Sequence, residues 1–195
     1  MQGRTDSAPS KVAMGLTVGI TALVAVGLYV TKFMDTAYRR RSVAEELQTA
    51  KTNILQGKNV DFAERRIRQG ARSSYSFERT YALTVIGELG GKAAWALPEL
   101  LEALKSDDPF VLREAARAVG SLGPLAAPAV PTLIQLLRKE GTDASWFSAD
   151  SLGNMGSAAV EAIPQLKIAS QSSDSNLRDS ASASLAKLMG KSSPK

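Results

Sequence analysis

The chain has no cysteine and no histidine among its 195 residues. The first absence excludes disulfides, zinc–thiolate sites and thiol nucleophiles. The second removes the commonest general base and the commonest side-chain metal ligand. Aromatic residues are scarce, at 6% of the chain, and there are two tryptophans. The net charge is +5, but it is not spread evenly. Residues 39–72 carry nine Lys/Arg against four Asp/Glu, and residues 73–189 carry ten against thirteen. A basic collar therefore precedes a mildly acidic body. A nucleic-acid binder would show a basic patch across its folded domain, so no nucleic acid partner is expected. No cofactor or metal site is expected either.

What is present is repetition. Gly87, Gly120 and Gly153 are spaced 33 residues apart, as are Gly90, Gly123 and Gly156. Pro98, Pro131 and Pro164 keep the same spacing, and so do Ala96, Ala129 and Ala162. A period of this length marks stacked supersecondary units. The expected fold is all-α: a short α-solenoid of helix pairs with a 33-residue period. Each unit reads as two helices. The first begins at Ala96, Ala129 or Ala162, with its proline in the first turn, where no N–H is needed. The second begins near Phe110, with Asp108 as its cap and Pro109 at its first position. Val111, Ala115, Ala118, Val119 and Leu122 fall on one face. Gly120 and Gly153 are disfavoured in a helix by about 1 kcal/mol each, which points to close backbone packing there.

The first long apolar run is 12–31, twenty residues without a charge. At 1.5 Å rise per residue it spans about 30 Å, the thickness of a bilayer core. A single transmembrane helix over 12–32 is expected, following an N-terminal tail at 1–11. The run exceeds the apolar part of a cleaved signal peptide. Gly15 and Gly19 form a small-xxx-small pair. Arg39, Arg40 and Arg41 outweigh Arg4 and Lys11 as a topology signal, placing the repeats in the cytoplasm, with the extracytoplasmic side as the alternative. The same triplet suits lipid headgroups.

Residues 33–74 read as basic juxtamembrane helices and an N-terminal cap. Val43, Leu47, Ala50 and Ile54 form one apolar stripe, ended by Gly57. Asn59 is expected to cap a short helix closed by Gly70, with Phe62, Ala63 and Ile67 on its apolar side. Arg65, Arg66, Arg68 and Arg72 lie opposite and suit an acidic partner or solvent. The repeat domain is expected over 75–189, and a short basic tail over 190–195.

The stretch AVGSLGPLAAPAVPTLIQLL resembles the HEAT-like repeats, in particular the short bacterial kind named after phycobilisome lyases. The resemblance covers 75–189, about three repeats. It implies an α-solenoid with an extended binding surface on its second helices. That family includes chromophore lyases and some DNA-repair enzymes, yet no site motif of either carries over by residue. Asp107 and Asp108 precede Pro109, where capping is expected. Glu99 and Glu102 are expected on an exposed helix face. No enzyme activity is expected.

In the 33-residue register, Arg113 corresponds to Trp146 and Asp179, and Glu114 to Phe147 and Ser180. Trp146 and Phe147 thus stand where neighbouring units are polar. With Arg113, Arg117, Asp150 and Arg178 they form the candidate protein-binding patch. Trp146 is expected to be exposed, whereas Phe147 suits either exposure or a gap between repeats; Trp95 is expected to pack locally. The function expected is a membrane-anchored protein–protein interaction scaffold, its oligomeric state open. Alternatives are a structural subunit of a larger membrane complex and a chromophore-lyase-like protein.

Overall fold

In this computed structural model, residues 11–139 and 141–190 are described, with side chains from residue 26 onward except Gly27. The described residues divide into two units between Ser42 and Val43. Among the described residues nine α-helices run in order: α1 (Lys11–Leu55), α2 (Val60–Ala71), α3 (Ser76–Leu89), α4 (Leu97–Ala103), α5 (Pro109–Leu122), α6 (Val130–Leu137), α7 (Asp143–Asn154), α8 (Ile163–Ala169) and α9 (Ser175–Leu188). Three 3-10 segments, Gly90–Ala96, Gly123–Ala129 and Gly156–Ala162, precede α4, α6 and α8.

Within the second unit α3 packs on α5, α5 on α7, and α7 on α9. The shorter helices α4, α6 and α8 lie against α5, α7 and α9 respectively. Two glycine sets make this stack possible. Gly90, Gly123 and Gly156 each open a 3-10 segment with φ of +55°, +60° and +58°, a conformation that L side chains resist. Gly87, Gly120 and Gly153 instead sit inside helices and permit close approach. A Cβ built on Gly120 would lie 2.9 Å from the Ser151 Cα, and one on Gly153 would lie 2.9 Å from the Ser184 Cα.

Asp108 caps α5 as the sequence predicts. Its carboxylate accepts from the backbone N–H of Phe110 at 2.9 Å and of Val111 at 3.4 Å. It also accepts from the Ser76 hydroxyl at the start of α3. The Ser76 hydrogen bond, the two backbone donors and the Arg79 charge together hold its pKa below the ordinary carboxylate value, against some desolvation. A depressed folded-state pKa means the contribution is present above the unfolded value and lost as pH falls through the folded one. Asp108→Ala is expected to cost about 1 kcal/mol at neutral pH. Urea midpoints for variant and wild type should converge as pH falls through the depressed folded-state pKa, because protonation removes the same charge from the wild type.

The core holds the predicted stripe. Leu47, Ala50 and Ile54 are buried at the end of α1, as are Val111, Ala115, Ala118, Val119 and Leu122 in α5. Gly57 follows α1 with φ +67°. Three expectations around α2 need correction. Asn59 precedes α2 in the left-handed region and makes no side-chain cap. Gly70 does not close α2; it lies buried inside it, where a Cβ would sit 2.9 Å from the Ala82 Cβ. Phe62 is 66% exposed, while Ala63, Ile67 and Ala71 carry the apolar side of α2 into the core.

Among the described residues one stretch, Pro109–Leu137, is long and apolar enough to cross a membrane. It is broken at Gly123, and its apolar residues Val111, Val119, Leu133 and Leu137 are core. Most side chains of the expected span at 12–31 lie outside the described residues. From Val26 to Tyr38, however, the first unit exposes Val26, Leu28, Tyr29, Val30, Phe33, Met34 and Tyr38, each by about half or more.

Candidate docking face on the second helices

Helices stacked side by side present their outward positions as rows. On α5 those positions are Arg113, Glu114 and Arg117; on α7 they are Trp146, Phe147 and Asp150; on α9 they include Arg178 and Asp179. All are partly or fully accessible. The α5 row is tied together by charge. Glu114 accepts from Arg117 at 2.7 Å and from Arg113 at 3.2 Å, and Thr84 of α3 donates to it at 3.2 Å. Arg113 also reaches Asp143 at the start of α7, at 3.7 Å. These are partly exposed ion pairs, worth at most about 1 kcal/mol each. Their effect is to tie both guanidiniums to Glu114.

Trp146 and Phe147 lie next to this network. Their rings stack with centroids 3.7 Å apart and planes at 26°. Both are half-buried and pack against the core. The sequence reading set an exposed Trp146 against a Phe147 that is either exposed or gap-filling; the structure gives both rings the same intermediate status. Each residue is partly packed on the core and partly accessible, as an aromatic anchor needs to be. Asp150 is half-buried one turn further along α7. Arg178 donates to the Ser172 carbonyl at 3.1 Å and lies 3.8 Å from Asp179 on its own helix. It forms the α9 border of the face. Towards α1 the face continues in polar contacts: Gln48 donates to the Tyr81 hydroxyl at 3.0 Å, and Lys51 pairs with Glu88 at 2.8 Å.

The basic collar has a different fate. Glu99, expected on an exposed face, is buried, its side chain fully so. Arg72 donates to it at 2.6 Å and Arg68 at 3.1 and 3.2 Å. The Arg68 guanidinium also lies over the Trp95 ring, 5.0 Å from its centroid, and Trp95 packs on the core. Arg66 pairs with Glu46 and Glu78. Three of the four arginines assigned to an acidic partner or to solvent are thus held by carboxylates of the chain itself. Glu102, by contrast, is exposed, 3.3 Å from Lys105.

Sequence reasoning missed the Glu99 cluster, although one signal was present. Arg72 reaches Glu99 across 27 residues, and Arg138 reaches Gln165 across 27 residues, at 3.1 Å. A donor at the end of one short helix meets an acceptor at the start of the next.

A model of the HEAT repeats matches residues 68–142. None of the curated proteins compared with the sequence matches it. Two crystal structures, each of an engineered protein from the Northeast Structural Genomics Consortium, share the fold. The first is 20% identical, covers 78% of this chain and 72% of its own, and superposes with a TM-score of 0.61. The second is 20% identical, covers 65% of this chain and 38% of its own, with a TM-score of 0.55. The repeat body is an α-solenoid similar to HEAT repeats.

Proposed function

We propose that the protein is a membrane-anchored, non-catalytic interaction scaffold whose second-helix face docks a protein partner. The observation that carries this reading is the Trp146–Phe147 stack. It is an accessible aromatic pair seated on the core and bordered by the Arg113–Glu114–Arg117 network. Stacked-helix arrays bind partners through such extended faces, and a rigid aromatic centre with a charged rim is how binding energy concentrates. The anchor is supported by the residues from Val26 to Val30. A helix apolar on all sides needs cover other than water. Val26, Leu28, Tyr29 and Val30, all substantially exposed ahead of Lys32, suit a lipid environment for the end of the uncharged run. On this reading the Arg39–Arg41 triplet keeps the repeats on the cytoplasmic side.

The test begins with carbonate-washed membranes. The wild-type chain is expected to stay in the pellet, and release into the wash counts against the anchor. The solubilised chain is then compared with Trp146→Ser, folding being checked by circular dichroism. A protein partner retained by wild type and lost from the folded variant supports the docking face. An identical set of partners on both removes it.

A further inference from the structure

We propose that the groove between α2 and the start of α3 is a receptor for a phosphate group, a site distinct from the docking face. The groove is open, about 620 Å³, and is lined by Arg65, Arg68 and Arg72 with Gln69, Ser73 and Ser74. Positions 65, 68, 69 and 72 are spaced at three and four residues, so one stripe of α2 and its C-cap residue Arg72 carries three guanidiniums and an amide.

Two of these guanidiniums are held in place from beneath. The buried Glu99 carboxylate takes one Nη of Arg68 and one of Arg72. Each guanidinium has five N–H donors, so most remain available. The Arg72 side chain is 68% exposed and Arg65 is exposed. One carboxylate is thus set against three cations. The groove's other carboxylate, Glu78, is already paired with Arg66 at 3.0 Å and accepts from Ser73 at 2.8 Å. An excess of positive charge faces the groove.

The donor set also selects the anion. A carboxylate presents two oxygens in one plane. Three guanidiniums, an amide and the Ser74 hydroxyl offer more donors, from more directions, than one carboxylate accepts. A tetrahedral oxyanion with three or four oxygens matches them. An independent observation lies beside the groove. Arg79 lines the adjoining cleft with Arg72, and its buried Nε has no hydrogen-bond partner among the described residues. Buried donors are rarely left unmatched; the Arg79 charge is already felt by Asp108, and Glu99 and Glu102 line the same cleft, so what the Nε lacks is a hydrogen-bond acceptor.

The shared chemistry is a phosphate group, free in solution or carried on a lipid headgroup. The chain contains its own reporter, because the Arg68 guanidinium rests over Trp95. With Trp146→Phe as background, Trp95 is the remaining indole of the two. The full chain in non-ionic micelles is titrated with sodium phosphate, and separately with phosphatidate mixed into the micelles, at matched ionic strength. A saturable change in Trp95 emission is expected, with a midpoint on the order of 1 mM for inorganic phosphate. Arg65→Gln should raise that midpoint about tenfold. Lys167→Gln, the same charge change on α8, should leave it in place. Saturation by phosphatidate alone, still sensitive to Arg65→Gln, identifies the source as a headgroup. Saturation by inorganic phosphate shows that no lipid is required. Phosphorus-31 line broadening on the unmodified chain provides a second reading. Absence of saturation in both arms, or equal midpoints for wild type and Arg65→Gln, overturns the proposal.

Discussion

Replacing Gly120 with alanine is expected to destabilise the solenoid by about 2 kcal/mol, although alanine is the better helix former. Propensity alone favours the substitution by about 1 kcal/mol. Packing opposes it more strongly. The new methyl would lie 2.6 Å from the Ser151 Oγ, 2.9 Å from its Cα and 3.0 Å from its Cβ. The hydroxyl cannot move aside freely. It lies 2.6 Å from the Ala116 carbonyl and 2.8 Å from the Phe147 carbonyl, and its single proton serves one at a time. The α5–α7 pair must therefore separate, and overpacking of this kind costs about 1–3 kcal/mol, occasionally more. Valine should exceed alanine, since a branched chain is added to the same gap. Ser151→Gly removes two of the three close atoms but leaves the Cα. In the Gly120→Ala background it should restore part of the loss, with a coupling of about 1 kcal/mol. Thermal midpoints of the four proteins check this. Strict additivity of the two changes, or no effect of Gly120→Ala, would show that the close approach does not govern the interface.

The second large effect belongs to Glu99. Removing both its partners, by Arg68→Gln with Arg72→Gln, leaves a buried carboxylate without a counter-charge. Breaking a buried pair from one side costs about 3–5 kcal/mol. The single variants should cost much less, Arg72→Gln least, because that side chain is 68% exposed and already shared with water. A third substitution gives the diagnosis. Glu99→Gln in the double background replaces the stranded charge with a neutral amide and should return most of the lost stability. Denaturant midpoints with an unchanged slope are the measure. A double variant as stable as wild type would mean that water reaches Glu99 and that the cluster is not a lock.

The same residues show how far the sequence could be read. Gly90, Gly123 and Gly156 announce their turns, because left-handed backbone leaves few residue types to choose from. Asp108 before Pro109 is equally plain, since the cap and its acceptors are local in sequence. Glu99 was illegible for the opposite reason. Its own helix offers an exposed neighbour, Glu102, three residues away, and its burial is decided by arginines 27 and 31 residues earlier. Gly70 was ambiguous because a helix-ending glycine and a close-packing glycine are the same letter. The Trp146–Phe147 patch was visible as a break in the repeat register. Its half-buried state was not, because that depends on how two adjacent rings fold onto one another.

The three 3-10 openings carry one more implication, for how such a chain lengthens or shortens. The backbone leaves each long helix through a glycine at nearly the same dihedral, φ +55°, +60° and +58°. Splicing at these glycines joins like to like. The stretch from Gly90 to Leu122 is thus a cassette with matched ends, and recombination between Gly90 and Gly123 adds or deletes one whole rung while leaving the bond geometry at the seam unaltered. The Trp146–Phe147 stack lies outside that rung, whereas Arg113, Glu114 and Arg117 lie within it, so a gained or lost rung alters the charged border of the proposed face and leaves its aromatic centre in place.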